Sequence, residues 1–511
     1  MGCLSSSWFS IKINGTSHGF FSGKSGLRQG DPLSPYIFVL SMEILSRYLR
    51  QLGSTPQVSL HPKCAKLQLT HLVFPDDLML FVRGDLPSVQ RAVHIMDSFA
   101  KWSGLKPNIS KTEIYFGGVS TAVKTLILQH TGFSEGSFPF RYLGIPLNSS
   151  KNSAEVYGTL IRKIQNALLH WTNNLLSYAG RIQILNSVIF GIANFWCSAA
   201  LLPKNILKRI TKICKDYFWG IADGDRKHVF LSWKSVCRPS KEGGFNVKEL
   251  LSWNKALLAK WIWLLISDSP GYWAQWNLAY VFQATSLWQT SIKDRFSESL
   301  CSILKVKDEI LSRTGSTDAA LHIINSWVHN GQFQVVKAYN WFRSQGDRVY
   351  WFKALHGDSI IPSHKFTVSL AIMHKLPTTD LLVTRGMFMV NRCVLCKCKV
   401  ETHRHLFFNC VFSQQIWKAL LQWMNIGTRT INLWSEVRWI AQAKGLRHWK
   451  HALRQSCIAA AVYFIWQERN QRIFTGRDSI VAHIISNIKL AIRYRLTTHA
   501  SSSSCLMSML L

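Results

Sequence analysis

The stretch from Leu69 to Val82, LTHLVFPDDLMLFV, constrains the fold of this chain more than any other. Two apolar runs typical of strands, Leu72 to Phe74 and Leu78 to Val82, flank a tight turn at Pro75-Asp76-Asp77. The sequence therefore predicts a β-hairpin with two adjacent carboxylates at its tip. Because hard divalent ions prefer carboxylate oxygens, Asp76 and Asp77 are candidate Mg²⁺ ligands for phosphoryl transfer. The alternative is a solvated hairpin turn, where Asp is common.

The composition favours a globular protein that binds a polyanion. The chain has 511 residues, enough for about three domains. Its 60 Lys and Arg outnumber 27 Asp and Glu, which gives a formal net charge of +33. We therefore expect nucleic acid as the first candidate partner and an acidic membrane surface as the second. A hydrophobic share of 47% and 21 Trp exclude a disordered chain.

Neither a membrane span nor a secretory signal is expected. No apolar run reaches the length expected for crossing a bilayer, and the chain opens without a signal-peptide pattern. Most of the 12 Cys are scattered, which favours a reducing compartment. The opening MGCLSS matches the N-myristoylation pattern, with Cys3 as a candidate for palmitoylation. The alternative is that Met1 is an arbitrary start within a longer reading frame.

A glycine-rich basic loop, GLRQG, leads into an apolar helical pattern between Gly26 and Leu49. Asp31 followed by proline predicts a helix N-cap and the first helical position. In the loop, Arg28 is a candidate contact for phosphate and Gln29 for a base edge, while Gly30 leaves room for a nucleotide. The alternative is an ordinary transition from loop to helix.

The central region is predicted to be helical and to carry a basic face. Its many tryptophans are expected in the core rather than as platforms for bases. Lys204, Lys208 and Lys212, with Arg209 and Lys215, recur at helical spacing. Such a face suits contact with the phosphate backbone of nucleic acid. Further along, Asp268 to Asp318 is Ser-rich and is expected to be less regular.

The segment CVLCKCKVETHRHLFFNC, from Cys393 to Cys410, has the spacing of a zinc site. Cys393 and Cys396 form a C-x₂-C pair, and His405 and Cys410 follow within the same short segment. Two such pairs of soft ligands suit tetrahedral Zn²⁺, so these four residues are the predicted ligands. Cys398 and His403 are rival ligands, and a run of reduced cysteines without metal is the alternative.

Several of these segments occur in the order of known motifs. They are GLRQGDPLSPYIF, then FPDD, then GLKPNISKTE (Gly104 to Glu113), then RYLGIPL (Arg141 to Leu147). In this order they resemble four palm motifs of reverse transcriptases of the non-LTR retrotransposon (LINE) kind, especially those of plants. The segments ETHRHLFFNC and IWQERNQRIF (Ile465 to Phe474) resemble the zinc-binding module found downstream of such enzymes.

The resemblance implies a fold and a reaction. The fold would be α+β: a partial polymerase palm of antiparallel sheet plus helices, a mostly helical thumb and connector, and a small zinc-binding module. The reaction would be RNA-directed DNA polymerisation, with nucleotidyl transfer to a primer 3′-hydroxyl. The implied cofactors are Mg²⁺ and a structural Zn²⁺, and the implied partners are template RNA and target DNA. A nuclear or cytoplasmic location is expected, and the oligomeric state stays open.

The resemblance also implies roles for individual residues. Asp76 would bind Mg²⁺ with Asp77 beside it, and Lys111 would lie near the leaving pyrophosphate. The templating base and the incoming nucleotide would be lined by Arg28, Gln29 and Gly30. The primer-gripping hairpin would contain Tyr142, Leu143 and Gly144.

The chain departs from the family pattern in ways that bear on activity. The family's first catalytic Asp lies on a strand upstream of the glycine-rich loop, whereas no acid precedes Asp31 here. The family usually has Ala where this chain has Pro75, and proline restricts the turn. Since two-metal transfer needs carboxylates from separate strands, we expect a truncated, inactive polymerase. The alternative is a non-catalytic nucleic-acid-binding remnant or a reused zinc-binding protein.

The expected organisation follows from these segments. It comprises a partial palm at 1–150, a thumb-like region at 151–265, a connector at 266–330, a zinc-binding module at 331–425, and a C-terminal helical region with a tail at 426–511.

Overall fold

A computed structural model describes most of the chain. The described residues are 8–23, 26–54, 59–147, 154–171, 176–220, 229, 231–267, 271–283, 285–355, 357–386, 391–427, 432–442 and 448–499. The lipidation pattern at MGCLSS and the tail from Ser501 to Leu511 lie outside these ranges. The chain divides into two compact units, one of Met1–Lys151 with Trp261–Phe296 and one of Asn152–Lys260 with Ser297–Leu511.

The first part of the chain alternates short strands with helices. Its elements are β1 (Trp8–Ile13), β2 (Thr16–Ser22), α1 (Ser34–Arg50), β3 (His71–Phe74), β4 (Asp77–Leu80), α2 (Leu86–Ser103), β5 (Glu113–Ile114), α3 (Thr121–Thr131), β6 (Ser134–Glu135), β7 (Phe140–Tyr142) and β8 (Ile145–Leu147).

The central part is mostly helical. Its elements are α4 (Ala154–Leu169), α5 (Tyr178–Ile184), a π-helical turn (Leu185–Ile189), α6 (Phe190–Ala199), α7 (Lys204–Trp219), α8 (Trp233–Cys237), α9 (Leu250–Ile266), α10 (Tyr272–Tyr280), α11 (Glu298–Thr314), α12 (Thr317–Ser326), β9 (Val328–His329), β10 (Gln332–Phe333) and α13 (Val335–Phe342).

In the last part, most of the described residues lie in helices. Its elements are α14 (Phe352–Leu355), α15 (Pro362–Ile372), α16 (Thr379–Val383), a π-helical turn (His405–Asn409), α17 (Val411–Trp423), α18 (Leu433–Gln442), α19 (His448–Thr475) and α20 (Val481–His499).

The core of the first unit packs the predicted hairpin against two helices. β3 and β4 pair antiparallel, with Phe74 opposite Asp77, which confirms the hairpin and puts Asp77 at the start of β4 rather than within the turn. The apolar side chains of β4 pack on buried residues of α1 and α2, among them Leu49 and Phe99. Asp85 accepts a hydrogen bond from the Ser88 amide at 2.9 Å and so caps α2.

The strands do not form the single antiparallel sheet expected of a palm. Each sheet among the described residues has two strands, and β5 pairs with β6 in parallel. Among the described residues, the β3–β4 hairpin is extended only by an isolated antiparallel bridge between Leu60 and Val82. The mixed character of the fold is confirmed, as helices with small sheets.

The helix after the glycine-rich loop begins later than predicted. α1 starts at Ser34 with Leu33 at its N-cap, whereas Asp31 was the predicted cap. The Asp31 carboxylate accepts a hydrogen bond from the Leu33 amide at 2.8 Å. Asp commonly closes such a local turn, and this contact holds residues 31–33 outside the helix.

The second unit joins its N-terminal helices to the later ones through aromatic rings. The ring of Phe366 on α15 lies 4.9 Å from that of Tyr178 on α5 and 6.2 Å from that of Phe218 on α7. The same ring lies 4.7 Å from that of Phe245. The basic helix α7 therefore shares one core with the segment that leads to the cysteine-rich loop.

The described residues contain one weak candidate for a membrane span, which the sequence analysis did not identify. The helical segment Tyr178–Ala199 has 22 residues and is long and apolar enough to cross a membrane. A core helix of a soluble protein passes the same test, and Leu185, Ile189 and Trp196 of this segment are buried within the protein. One such helix among the described residues is weak support for a membrane span.

The region expected to be less regular, Asp268 to Asp318, contains helices in its described part. It holds α10, α11 and the start of α12. In the first unit, Trp276 of α10 donates a hydrogen bond to the Lys63 carbonyl at 2.7 Å, and Tyr280 accepts one from the Lys66 amide at 2.9 Å. The aromatic anchors of α10 thus compensate for a sequence with weak helical periodicity.

Candidate metal centre and polymerase-motif residues

The four predicted zinc ligands converge. The sulfur atoms of Cys393, Cys396 and Cys410 and a ring nitrogen of His405 all lie within 4.8 Å of one another. Tetrahedral Zn²⁺ with bonds near 2.3 Å separates its sulfur ligands by about 3.8 Å, so this spacing suits the ion. Three of the four residues are buried and Cys396 is half-buried. Four protein ligands leave no open position, which is typical of a structural site.

Backbone hydrogen bonds shape the two halves of this loop. In the first half, the Lys397 amide donates to the Cys393 carbonyl at 2.8 Å, and Lys397 has a left-handed φ of 58°. In the second half, the π-helical turn begins at His405, and the Cys410 amide donates back to the His405 carbonyl at 2.7 Å. Each half therefore brings two ligands towards one point.

The pKa shifts of two ligands, His405 and Cys410, favour the forms that bind a cation. The Cys396 sulfur lies 3.3 Å from His405 Nε2. Burial lowers the pKa of His405, so its ring is neutral near pH 7, the form that binds metal. The hydrogen bond between Cys393 and Cys410 lowers the pKa of the Cys410 thiol and raises that of the Cys393 thiol. Zinc would displace the remaining protons, because thiolates are its ligands.

The rival ligands lie elsewhere. Cys398 is exposed, and its thiol donates to the Cys396 carbonyl at 2.9 Å. His403 is buried, with Nδ1 3.1 Å from the Thr378 hydroxyl and its ring 5.0 Å from that of His374. Burial lowers the pKa of His403 to about 4. Both side chains are thus held in other contacts.

A buried ion pair fixes the loop onto α19. Arg469 Nη2 donates to Glu401 Oε1 at 2.8 Å, and the two side chains are 2% and 0% exposed. Glu401 also accepts a hydrogen bond from the Thr379 amide at 2.7 Å, and the Arg469 guanidinium lies 4.8 Å from the Trp466 ring centre. These contacts compensate the buried charges, which would otherwise be costly.

A second ion pair on α19 reaches the C-x₂-C segment itself. Arg472 Nε donates to Glu468 Oε1 at 2.7 Å. Arg472 Nη1 donates to the carbonyl of Leu395 at 3.2 Å and lies 3.5 Å from that of Val394. The carbonyls between two zinc ligands are therefore bound by a side chain of a distant helix.

The π-helical turn rests on α17. The Ser413 hydroxyl donates to the Leu406 carbonyl at 2.5 Å, and Trp417 Nε1 donates to the Phe407 carbonyl at 2.9 Å. The rings of Phe408 and Trp417 stack with centres 5.4 Å apart. The apolar run after His405 thus forms the core beneath the ligands.

The polymerase-motif acids lie on the surface of the first unit. Asp76 lies in the turn between β3 and β4, and both Asp76 and Asp77 are exposed. In the parts of the chain that the structure describes, three or more potential metal ligands come together only at the Cys/His cluster. Asp76 and Asp77 have no third carboxylate beside them among the described residues, so these residues do not complete a two-metal site.

The predicted primer-gripping residues form a second hairpin. Leu143 and Gly144, with φ of 51° and 81°, make the turn between β7 and β8. Burial and the negative charge of Asp77 raise the pKa of Tyr142.

The remaining predicted residues of the first unit are exposed. Lys111 ends a short 3₁₀ turn, Ile109–Lys111. In the glycine-rich loop, the Arg28 carbonyl accepts a hydrogen bond from the Ser34 hydroxyl at 2.7 Å, and Gly30 has a φ of 91°. The side chains of Arg28 and Gln29 are exposed to solvent.

Two protein families match the chain at these places. Residues 1–147 match the family described as reverse transcriptase (RNA-dependent DNA polymerase). Residues 333–417, which include all four candidate zinc ligands, match the family described as zinc-binding in reverse transcriptase. These two parts of the chain are therefore similar to parts of reverse transcriptases. Together with the Cys/His cluster, the second match also indicates zinc binding.

Curated relatives come from Arabidopsis thaliana. A putative ribonuclease H protein is 28% identical over 129 residues, which is 25% of this chain and 21% of the relative. An uncharacterized mitochondrial protein is 41% identical over 68 residues, 13% of this chain and 54% of the relative. A second one is 26% identical over 113 residues, 22% of this chain and 73% of the relative. The matched regions thus span about a fifth and about half of the first two relatives.

The roles of the charged residues of α19 that hold the loop were not predicted from the sequence. Glu468, Arg469 and Arg472 follow an apolar helical run, and Glu401 lies between two zinc ligands. Charged residues on a buried helix need partners. The position of these charges directly after an apolar run was therefore the sequence feature that could have indicated buried ion pairs. The identity of each partner depends on tertiary contacts.

We predict that the purified chain binds about one Zn²⁺, measured by elemental analysis after preparation under reducing conditions without chelator. Cys396→Ser and His405→Ala should each lose the metal, because a closed site needs four ligands. Cys398→Ser is the matched control for the first and His403→Gln for the second, and both should keep it. Metal loss in His403→Gln with retention in His405→Ala would reassign the ligand.

Proposed function

We propose that this chain is a nucleic-acid-binding protein of the LINE-type reverse transcriptase kind that, as these 511 residues, does not polymerise. Its proposed partners are template RNA and target DNA, and the proposed contacts are mostly to the phosphate backbone. The observation that carries the proposal is a stripe of exposed lysines on α7, in a chain with a formal net charge of +33.

The lysine stripe has the geometry of a backbone contact. Lys204, Lys208 and Lys212 are exposed and follow one another every four residues along α7. The opposite face is buried, with Ile206, Ile210 and further apolar side chains in the core. The helix is thereby fixed to the second unit, and its charges are displayed in one row. This supports a thumb-like role for residues 151–265.

The zinc loop offers a second basic surface. Lys397, Lys399 and Arg404 are exposed on the segments that carry the four ligands. A structural metal would hold these charges in fixed positions, so its proposed work is to shape a surface rather than to catalyse. The family description, zinc-binding in reverse transcriptase, supports this role for residues 331–425.

Polymerase activity is the competing function, and the match of residues 1–147 to the reverse transcriptase family favours it. The reaction, attack of a primer 3′-hydroxyl on the α-phosphate of a nucleotide with release of pyrophosphate, needs carboxylates from separate strands. Residues 1–30 contain no Asp or Glu. We therefore favour binding without polymerisation.

We predict nucleic-acid binding that depends little on sequence and weakens steeply with salt. Replacing Lys204, Lys208 and Lys212 together by Ala should reduce the slope of log Kobs against log salt by about three, since each lysine would release about one counterion. Fluorescence anisotropy with a labelled RNA and a labelled DNA duplex measures the slope.

The control variant removes the same number of positive charges but leaves the lysine stripe of α7 intact. Lys260, Lys305 and Lys418 are exposed on three different helices, so their triple Ala variant should change the slope by less than about one. Equal slopes for the two triple variants would reject the α7 stripe as the contact surface. Tight binding that does not respond to salt would reject a backbone-dominated mode.

We also predict that the 511-residue protein does not extend a primer on an RNA template with Mg²⁺ or Mn²⁺. The physical reason is the missing carboxylate beside Asp76 and Asp77. Gel analysis of a labelled primer is the measurement. Extension that disappears in Asp76→Ala would show that another acid completes the site and would overturn this part of the proposal.

A further inference from the structure

We infer that Arg472 is a positioning residue for the metal centre: from α19 it holds the C-x₂-C segment in the shape that binds zinc. The inference deepens the proposed function and rests on its zinc site. The residue is not a ligand and does not touch the ion. It acts on the backbone that joins Cys393 to Cys396.

The guanidinium of Arg472 bonds in three directions. Nε donates to Glu468 Oε1 at 2.7 Å, and Nη1 donates to the Leu395 carbonyl at 3.2 Å. Nη2 donates to the Ser479 carbonyl at 3.3 Å. The Phe412 ring centre lies 4.7 Å from the guanidinium carbon. A planar group with donors at fixed angles suits such a set of acceptors, and the ammonium of Lys does not.

The contacts of Arg472 restrict the backbone between two of the zinc ligands. Leu395 lies between Cys393 and Cys396, so a bond to its carbonyl restricts the backbone that sets the spacing of two sulfurs. A loop without this bond would lose more conformational freedom on binding the metal. Arg472 and Glu468 are 14% and 3% exposed, so their pair is little screened by water.

The same pair also binds the turn that leads to α20. Glu468 Oε1 accepts a hydrogen bond from the Ser479 amide at 2.8 Å, while Arg472 donates to the Ser479 carbonyl. The C-x₂-C segment, α19 and the start of α20 therefore meet at one ion pair. Because coupling between two sites is reciprocal, zinc should in turn stabilise the docking of α20.

The test measures the zinc affinity of the full chain by competition with a chromophoric chelator. Arg472→Ala should bind Zn²⁺ about 10- to 100-fold more weakly, the usual effect of removing a group that orients metal ligands. Arg472→Lys should lose most of the same affinity, since it keeps the charge but not the directions. Arg477→Ala, which changes an exposed residue beyond the end of α19, should match the wild type.

A second control separates positioning from general stability. Arg343 pairs with Glu242 elsewhere in the second unit, and both side chains are 10% exposed. Arg343→Ala should lower the urea midpoint of the metal-free protein without changing zinc affinity. In hydrogen exchange, zinc should slow the amides of Val481–His499 in the wild type and less so in Arg472→Ala.

The outcomes are distinct. Equal zinc affinities for Arg472→Ala and Arg477→Ala, with zinc bound, would overturn this inference and leave the metal centre intact. Wild-type protein that takes up no zinc would overturn both. If Arg472→Ala does not fold, Glu468→Gln decides, since it keeps the shape but removes the charge that holds Arg472. Wild-type affinity in Glu468→Gln would then refute the inference.

Discussion

The cysteine-rich loop of the second unit depends on one buried ion pair, between Glu401 and Arg469. The two residues are 68 apart in the chain, and their side chains are almost wholly removed from water. Leaving one such charge unpaired generally costs about 3–5 kcal/mol, a large part of the stability of a domain. Because Glu401 also binds the Thr379 amide, the pair joins the loop, α16 and α19 at one point.

This arrangement makes the metal centre part of a larger helical structure. The π-helical turn rests on α17, the C-x₂-C segment is bound by Arg472, and Glu401 is bound by Arg469. Through Phe366 the same unit includes α7 with its row of lysines. A structural zinc would therefore support the surface that we propose for contact with nucleic acid.

Local patterns allowed some features to be predicted from the sequence. The hairpin of β3 and β4 followed from two apolar runs around a turn, and the lysine stripe from helical spacing. The four metal ligands lie within one short segment, so their convergence needed no knowledge of the tertiary fold. The separation of the strands into small sheets, the late start of α1 and the partner of Glu401 depend on distant contacts, which local periodicity does not encode. The helix at Tyr272–Tyr280 likewise depends on hydrogen bonds to residues 63 and 66.

Zinc K-edge X-ray absorption of the purified chain measures whether four protein ligands close a zinc site in this unit. The structure predicts three sulfur atoms at about 2.3 Å and one nitrogen at about 2.0–2.1 Å. This shell corresponds to Cys393, Cys396, His405 and Cys410. A shell of four sulfur atoms would exclude His405, and an oxygen atom in the shell would show an open site. Either result would rule out a closed site of three cysteines and one histidine.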